Sequence, residues 1–436
     1  MRFGKIASAL ALTLVAATAA ACGGGDGDDA TAPKKLVYWA SNQGTSLDHD
    51  KEVLQPQIEA FEKQTGIDVE LEVIGWPDLL NRILAATTSG EGPDVLNIGN
   101  TWSASLQATG ALLPFDDATL DKIGGKDRFL GPSLAATGAE GQPPAAVPVY
   151  GQAYGLYYNK KLFKEAGIEK PPATWEELIE TGKKLTKDGQ WGLTLQAGQV
   201  TENAHYAAIL GAQHGAEFFA ADGKPQLASD PAVNALQQYV DLMQKHKIVN
   251  PSNAEYTDTA KSLKDVADGK AAMFMNQAAS GSFELAGMNM DDLGVAPIPL
   301  PANPPAGHRK VTSFVAGINL AVFENSKNLD GALDFVKFLT STPVQVELNK
   351  TYGSLPVVKD AYTDPAFQGE DVKVFQDTLG NTAEPMPQVP QESQFETLIG
   401  TAMKEMFADV AAGKSVDAAS IKSQLVQADE QLAAGS

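Results

Sequence analysis

One cysteine, Cys22, is all the thiol in this chain of 436 residues. No internal disulfide can form, so the fold must rest on a hydrophobic core. Histidine is sparse as well: of five residues, His205 and His214 stand closest, and none has the spacing of a metal site. There is no G-x-S-x-G elbow and no H-E-x-x-H helix. AAGKS at Ala411–Ser415 has the ending of a phosphate-binding loop, but Ala408 stands where the first glycine belongs. Basic residues are outnumbered, with 33 Lys and Arg against 54 Asp and Glu, for a formal net charge of −21. Such a surface repels nucleic acid and anionic headgroups, which sets both aside as partners; solubility explains it sufficiently. Past the first 21 residues no apolar run is long enough to span a bilayer, and no segment repeats.

What is present begins with Arg2 and Lys5, followed by the apolar run Ile6–Ala21 and then Cys22. This is an export signal. The A-A-A-C sequence is similar to the lipobox of bacterial lipoproteins, which implies a signal peptide over residues 1–21, lipidation of Cys22 and a lipid anchor at the outer face of the cell membrane. The alternative is an ordinary secretory signal with an incidental cysteine. Residues 22–34 are Gly/Asp-rich and read as a flexible tether.

At 43% apolar residues, the rest has the composition of a packed globular protein, long enough for two or three domains of roughly 100–200 residues each. Strand and helix patterns alternate. KLVYWA (Lys35–Ala40), IDVELEVIGW (Ile67–Trp76) and DVLNIG (Asp94–Gly99) read as strands, separated by helical patterns, with Pro56 marking an early turn. This order predicts an α/β fold with a mostly parallel sheet and a ligand site beyond its carboxyl edge, at Ser41–Thr45 and Asn97–Trp102. A second unit starts near Val147, contains a capping box at Thr174–Glu177, and continues through the strands Ala271–Asn276 and Gly294–Pro299. A proline-rich connector (Pro299–His308), the strand pattern Val311–Phe323 and a tail helical over about Glu392–Ala433 complete the chain.

Several landmarks in fixed order resemble one family: KLVYWA, Gly92–Asp117, Val147–Leu178, Asp268–Gln277, VTSFVAGINLAV and YGSLPVVKDAY (Tyr352–Tyr362). The chain resembles the extracellular solute-binding proteins of carbohydrate-uptake ABC transporters, of the maltose-binding-protein-like type. The resemblance implies a two-lobed periplasmic-binding-protein fold (type II-like), each lobe a mostly parallel sheet flanked by helices, with a hinge and an interlobe cleft. Lobe I would be 35–149 plus 301–339 and lobe II 152–297 plus 343–433, with hinge crossings near 149–152, 297–301 and 339–343. It further implies a monomer without cofactor or catalysis, with the permease subunits of an ABC transporter as its partners.

Sugar hydroxyls call for amides and carboxylates in the loops, and sugar faces call for aromatic walls. The candidate ligand-binding residues are Asn42, Gln43, Asn100, Trp102, Tyr150, Gln152, Tyr154 and Asn276, together with Phe314 and Tyr352; Asn97 and Gln277 lie beside them. Arg and Lys are missing from these loops and Asp and Glu are scarce, which points to a neutral mono- or oligosaccharide and no metal. Trp39 and Trp76, in strands, read as core. Asp94 reads as a strand-start residue, and Tyr157 and Tyr158 as alternating core and surface positions. Unlike many sugar-binding members of the family, the chain has no tryptophan soon after AAMFMN, where Phe283 is the nearest aromatic. Near its C-terminus it offers only Phe395 and Glu396 where some relatives carry an aromatic and an arginine. A secreted glycoside hydrolase, or a solute-binding protein for peptides or another non-sugar solute, is the alternative.

Overall fold

The computed structural model describes residues 35–434 apart from Thr45 and Ala279. The signal peptide, Cys22 and the tether lie outside the described residues. Strand β1 (Lys35–Ser41) buries Leu36, Tyr38 and Ala40 on one side. The strands β2 (Asp68–Ile74) and β3 (Val95–Gly99) flank it in parallel, as parallel neighbours joined by helical crossovers must. The crossovers are the helices Leu47–Thr65 and Trp76–Ser89. Ser46 caps the first by accepting from the amide of His49, and Gly66, at φ 72°, ends it in the left-handed conformation that glycine adopts without strain. Pro56 does not end this helix early; it lies in its interior. Both Pro56 and Glu52, whose carbonyl loses its partner, face solvent. Water can therefore take the freed carbonyl while Leu54, Ile58 and Phe61 hold the buried face.

The remaining strands are β4 (Val147–Gln152), β5 (Tyr154–Asn159), β6 (Trp191–Thr194), β7 (Ala271–Gln277), β8 (Leu293–Ala296), β9 (Ser313–Phe314), β10 (Ala316–Val322) and β11 (Ala383–Glu384). They complete two main sheets, ordered β2-β1-β3-β10-β4 and β6-β7-β5-β8, with β9 and β11 paired in parallel. Only Ala153 separates β4 of the first sheet from β5 of the second, so the chain passes between lobes there. It returns between Ala296 and Ser313 through the proline-rich segment. Each lobe has its own core: Tyr38, Phe61, Val149 and Phe335 in the first, Leu156, Trp175, Tyr239 and Phe407 in the second. Thr174 and Glu177 form the capping box expected from sequence.

Two expectations shift. The helix Thr342–Tyr352 buries Val344 and Leu348 in the first core, together with Val357, Val358 and Ala361. The return to the second lobe therefore comes after residue 361 rather than at 339–343, because these apolar side chains complete the first sheet's cover. The helical tail is two helices, Glu392–Ala411 and Ala418–Ala434, parted at Gly413 (φ 79°). Among the described residues no helix is long and apolar enough to cross a membrane.

The helices Glu392–Ala411 and Val200–His214 cross closely at Gly400, where an added Cβ would stand 2.1 Å from the Val200 carbonyl oxygen. Gly400→Ala is expected to force them apart and lower stability by about 1–3 kcal/mol, the usual cost of overpacking, read from the midpoint of urea unfolding.

Candidate functional site

On the first lobe the loop after β1 is organised by Asp50, which is wholly buried. Its carboxylate accepts from the backbone amides of Gln43 (3.1 Å) and Gly44 (2.8 Å) and from the side-chain amide of Asn42. Gln43 donates to Ser41 Oγ (2.9 Å), and Asn97 is spent internally, accepting from Tyr38 (2.7 Å) and donating to Ser41 (3.0 Å). Trp76 is not simply core. Its indole N–H donates to the Asn42 carbonyl (2.7 Å), and its ring meets that of Trp102 edge-on at 5.5 Å. Trp102 itself remains half-exposed just beyond β3. Trp39 is also half-exposed, with the Arg82 guanidinium 4.4 Å above its ring. Asn100 donates to the Val315 carbonyl and so ties this loop to the hinge.

Tyr150 and Tyr352 meet edge-on at 5.4 Å. Tyr150, 2% exposed, belongs to the first core rather than to a cleft wall. Tyr352 is half-buried; burial first, then the Asp50 charge, raises its phenol well above the usual range. Gln152 is half-exposed at the end of β4, opposite Ala316, and Asn276 is buried in β7 opposite Gly155.

The second lobe assembles a cluster. The buried Tyr154 hydroxyl donates to Glu202 (2.8 Å), accepts from the Gln277 amide (2.9 Å) and lies 2.7 Å from His205 Nδ1. The other ring nitrogen of His205 lies 3.1 Å from Glu396. Phe314 covers the imidazole at 4.3 Å between ring centres and stands 5.4 Å from Tyr154. Tyr154 donates its single proton to Glu202, so Nδ1–H must donate to the phenol oxygen, while Nε2–H donates to Glu396. The imidazolium form satisfies both. Burial alone would discharge the ring, but the hydrogen bonds and charges of Glu202 and Glu396 outweigh it and push His205 up to about 9. One turn before Glu396, Glu392 is 1% exposed and neither carboxylate oxygen has a hydrogen-bond partner. Burial first, then repulsion from Glu396, raise its pKa well above the carboxylate range. Among the described residues no group of three or more His, Cys, Asp and Glu side chains is arranged to hold a metal ion.

The two halves face one another. The amide of Ser393 donates to Ser105 Oγ (3.2 Å), and Gln388 donates to the Gly138 carbonyl (2.7 Å). Beside these contacts lies a gap of about 10 Å³ between Asn100, Ser103 and Gly138 on one side and Met386, Gln388 and Glu392 on the other. A larger groove, about 670 Å³, is lined by Trp191, Lys245 and Lys414. It lies by Val410, about 27 Å along the helix from Glu392 at 1.5 Å per residue, and holds none of these groups. Of the sequence candidates, Asn100 lines the gap; Tyr154 and Phe314 meet in the second core, Asn42, Gln43 and Trp102 join in one network beside it, and Tyr150 lies in the first core. Sequence reasoning missed Glu202, His205 and Glu392 and noted Glu396 only as a departure.

Comparison with known proteins places this geometry. The family of bacterial extracellular solute-binding proteins matches residues 45–346, and the chain belongs to that family, which is one of solute-binding proteins and not of enzymes. A binding protein of Brucella abortus is 28% identical over 379 residues, covering 85% of this chain and 87% of that one. The sn-glycerol-3-phosphate-binding periplasmic protein of the same species is 26% identical over 350 residues, covering 77% of each. Among solved structures, maltose-bound MalE3 of Thermotoga maritima superposes with a TM-score of 0.76 at 23% identity, over 92% of this chain and 100% of that one. The GacH receptor of Streptomyces glaucescens, solved unliganded and with acarbose, gives 0.74 at 25% identity over 91% and 98%. The fold is two-lobed and MalE-like.

His205 supplies a pH test. Its pKa in the folded protein stands above the ordinary 6.5, so its contribution to stability is complete below about pH 6.5 and disappears as the pH rises through about 9. The stability advantage of the wild type over His205→Gln is expected to shrink by on the order of 3 kcal/mol between pH 6 and pH 9.5, measured by urea unfolding at each pH.

Proposed function

We propose that this protein captures a mono- or oligosaccharide between its lobes and delivers it to the permease of an ABC importer, held at the outer face of the membrane by a lipid on Cys22. The observation that carries the reading is the half-exposed Trp102, resting edge-on against Trp76 just beyond β3, next to a gap between the two halves lined by Asn100, Gln388 and Glu392; Tyr154 and Phe314 lie behind it in the second core. Aromatic faces beside bonded donors and acceptors are what a sugar requires. The maltose and acarbose bound by the two structural neighbours support the same class. A phosphorylated ligand like that of the Brucella relative fits poorly, since the residues lining the gap include no Arg or Lys. The expectation of a neutral ligand came from loops poor in charge, whereas Glu202, Glu392 and Glu396 enter from helices.

A glycosidase reading needs two carboxylates free to flank a glycosidic bond. Glu202 and Glu396 are instead bonded to Tyr154 and His205, so they are not free to act on a bond between them.

The test is calorimetric titration with mono-, di- and trisaccharides while the same mixtures are assayed for hydrolysis. Binding of an intact sugar is expected, and cleavage would bring the hydrolase forward. Trp102→Ala should weaken that binding at least tenfold, about 1.4 kcal/mol, with an unchanged melting temperature; unchanged affinity would remove Trp102 from the site. For the anchor, Cys22→Ser is expected to abolish incorporation of radiolabelled palmitate and move the protein from the membrane fraction to the medium or periplasm.

A further inference from the structure

Among the described residues Glu392 is the one buried carboxylate with both oxygens unpartnered. Such a group is costly. A fully buried polar atom without a hydrogen bond loses its hydration for nothing in return, and proteins keep few of them. Glu392 opens the Glu392–Ala411 helix, whose amino end favours negative charge, yet it lies one turn from Glu396. His205 carries one positive charge against two carboxylates, Glu396 at 3.1 Å and Glu202 at 3.8 Å. On the opposite side of the gap, the turn Asn100–Trp102 and the helix Ser103–Gln107 carry no charged residue at all. Among the described residues lining the space between the lobes with Glu392 there is no Lys, Arg or His.

The missing partner is a hydrogen-bond donor with positive charge. A sugar hydroxyl offers one proton and no charge, so it would satisfy one oxygen of Glu392 and leave the group protonated. An ammonium offers three donors and a full charge, and bonds of that kind to a carboxylate are the strong ones. We propose that Glu392 recognises a basic nitrogen on the ligand, so that the solute is an amino sugar or a comparably basic polyol rather than a neutral saccharide. This rests on the saccharide reading of the cleft. The proton balance is simple. The ligand arrives and stays as an ammonium ion, the Glu392 carboxyl loses its proton to solvent, and up to one proton is released for each ligand bound. The titratable group that acts on it is Glu396 on its own helix, which is itself bonded to His205.

The experiment is calorimetry of the purified protein at pH 7 with matched pairs: glucose against glucosamine, and cellobiose against the β-1,4-linked glucosamine dimer. At least one basic member is expected to bind tenfold or more tightly than its neutral partner. Repeating that titration in buffers of different ionisation heat should show net proton release by the wild type. Glu392→Gln, checked for an unchanged melting temperature, should erase both the preference and the proton release. Equal or better binding of the neutral members, or no proton release by the wild type with the basic ones, would overturn the inference and leave the saccharide reading standing. A preference that survives in Glu392→Gln would also overturn it. Failure of every sugar to bind would overturn both. The proton measurement needs no variant, so an unstable Glu392→Gln does not protect the proposal.

Discussion

The contact between His205 and Glu396 fixes the second half of the site. It joins the Val200–His214 and Glu392–Ala411 helices where Gly400 lets their backbones approach. Burying an ion pair is expensive, and attraction repays the desolvation only where the remaining donors and acceptors are also used. Here they are: Tyr154 takes up the second ring nitrogen and Glu202 together, Gln277 donates to Tyr154, and Phe314 covers the ring. Removing one member would leave another charged and unpaired, so the cluster has one low-energy arrangement. Glu392 inherits its position from this arrangement, one helical turn away.

The first half is held as firmly by different means. Asp50 gathers the amides of Gln43 and Gly44, and the Asn42 carbonyl anchors the Trp76 indole against which Trp102 rests. The contacts that bridge the gap are few hydrogen bonds, such as Gln388 to Gly138 and Ser393 to Ser105, each worth about 0.5–1.5 kcal/mol net. A gap of about 10 Å³ is at the threshold for one water, so any larger ligand would require these bonds to open. A ligand can shift such an equilibrium only by its differential affinity for the two arrangements, which contacts with both halves would provide.

Much of this was legible in the sequence. Alternating and continuous apolar runs located the first sheet, the Thr174–Glu177 spacing located a helix start, and the prolines between Pro299 and Pro305 marked a connector. Pro56 misled because a proline whose freed carbonyl faces water does not have to end a helix. The third passage between lobes was misplaced because Val344 and Leu348 look the same in sequence whichever core receives them. The acidic half of the site was hidden for a stronger reason. Strand-end loops are where an α/β fold leads one to expect ligand groups, whereas Glu202, His205, Glu392 and Glu396 lie on helices buried against one another. A signal did exist: an acid and a histidine three residues apart on an otherwise largely apolar helix, and two glutamates four apart on another, place polar groups on faces that pack together.

The same electrostatics connects the site to the whole surface. A net charge of −21 attracts cations and repels anions, but at physiological ionic strength this field is screened within about 8 Å. Its steering is therefore confined to the last approach and weakens with salt. On the reading proposed above, discrimination between a basic and a neutral sugar would come from inside the gap, where an unpaired carboxyl gains far more from an ammonium than it would at the surface. The acidic exterior favours encounter with cations of any kind, whereas on the reading proposed above the buried carboxyl would select a basic nitrogen carried on a polyhydroxylated frame.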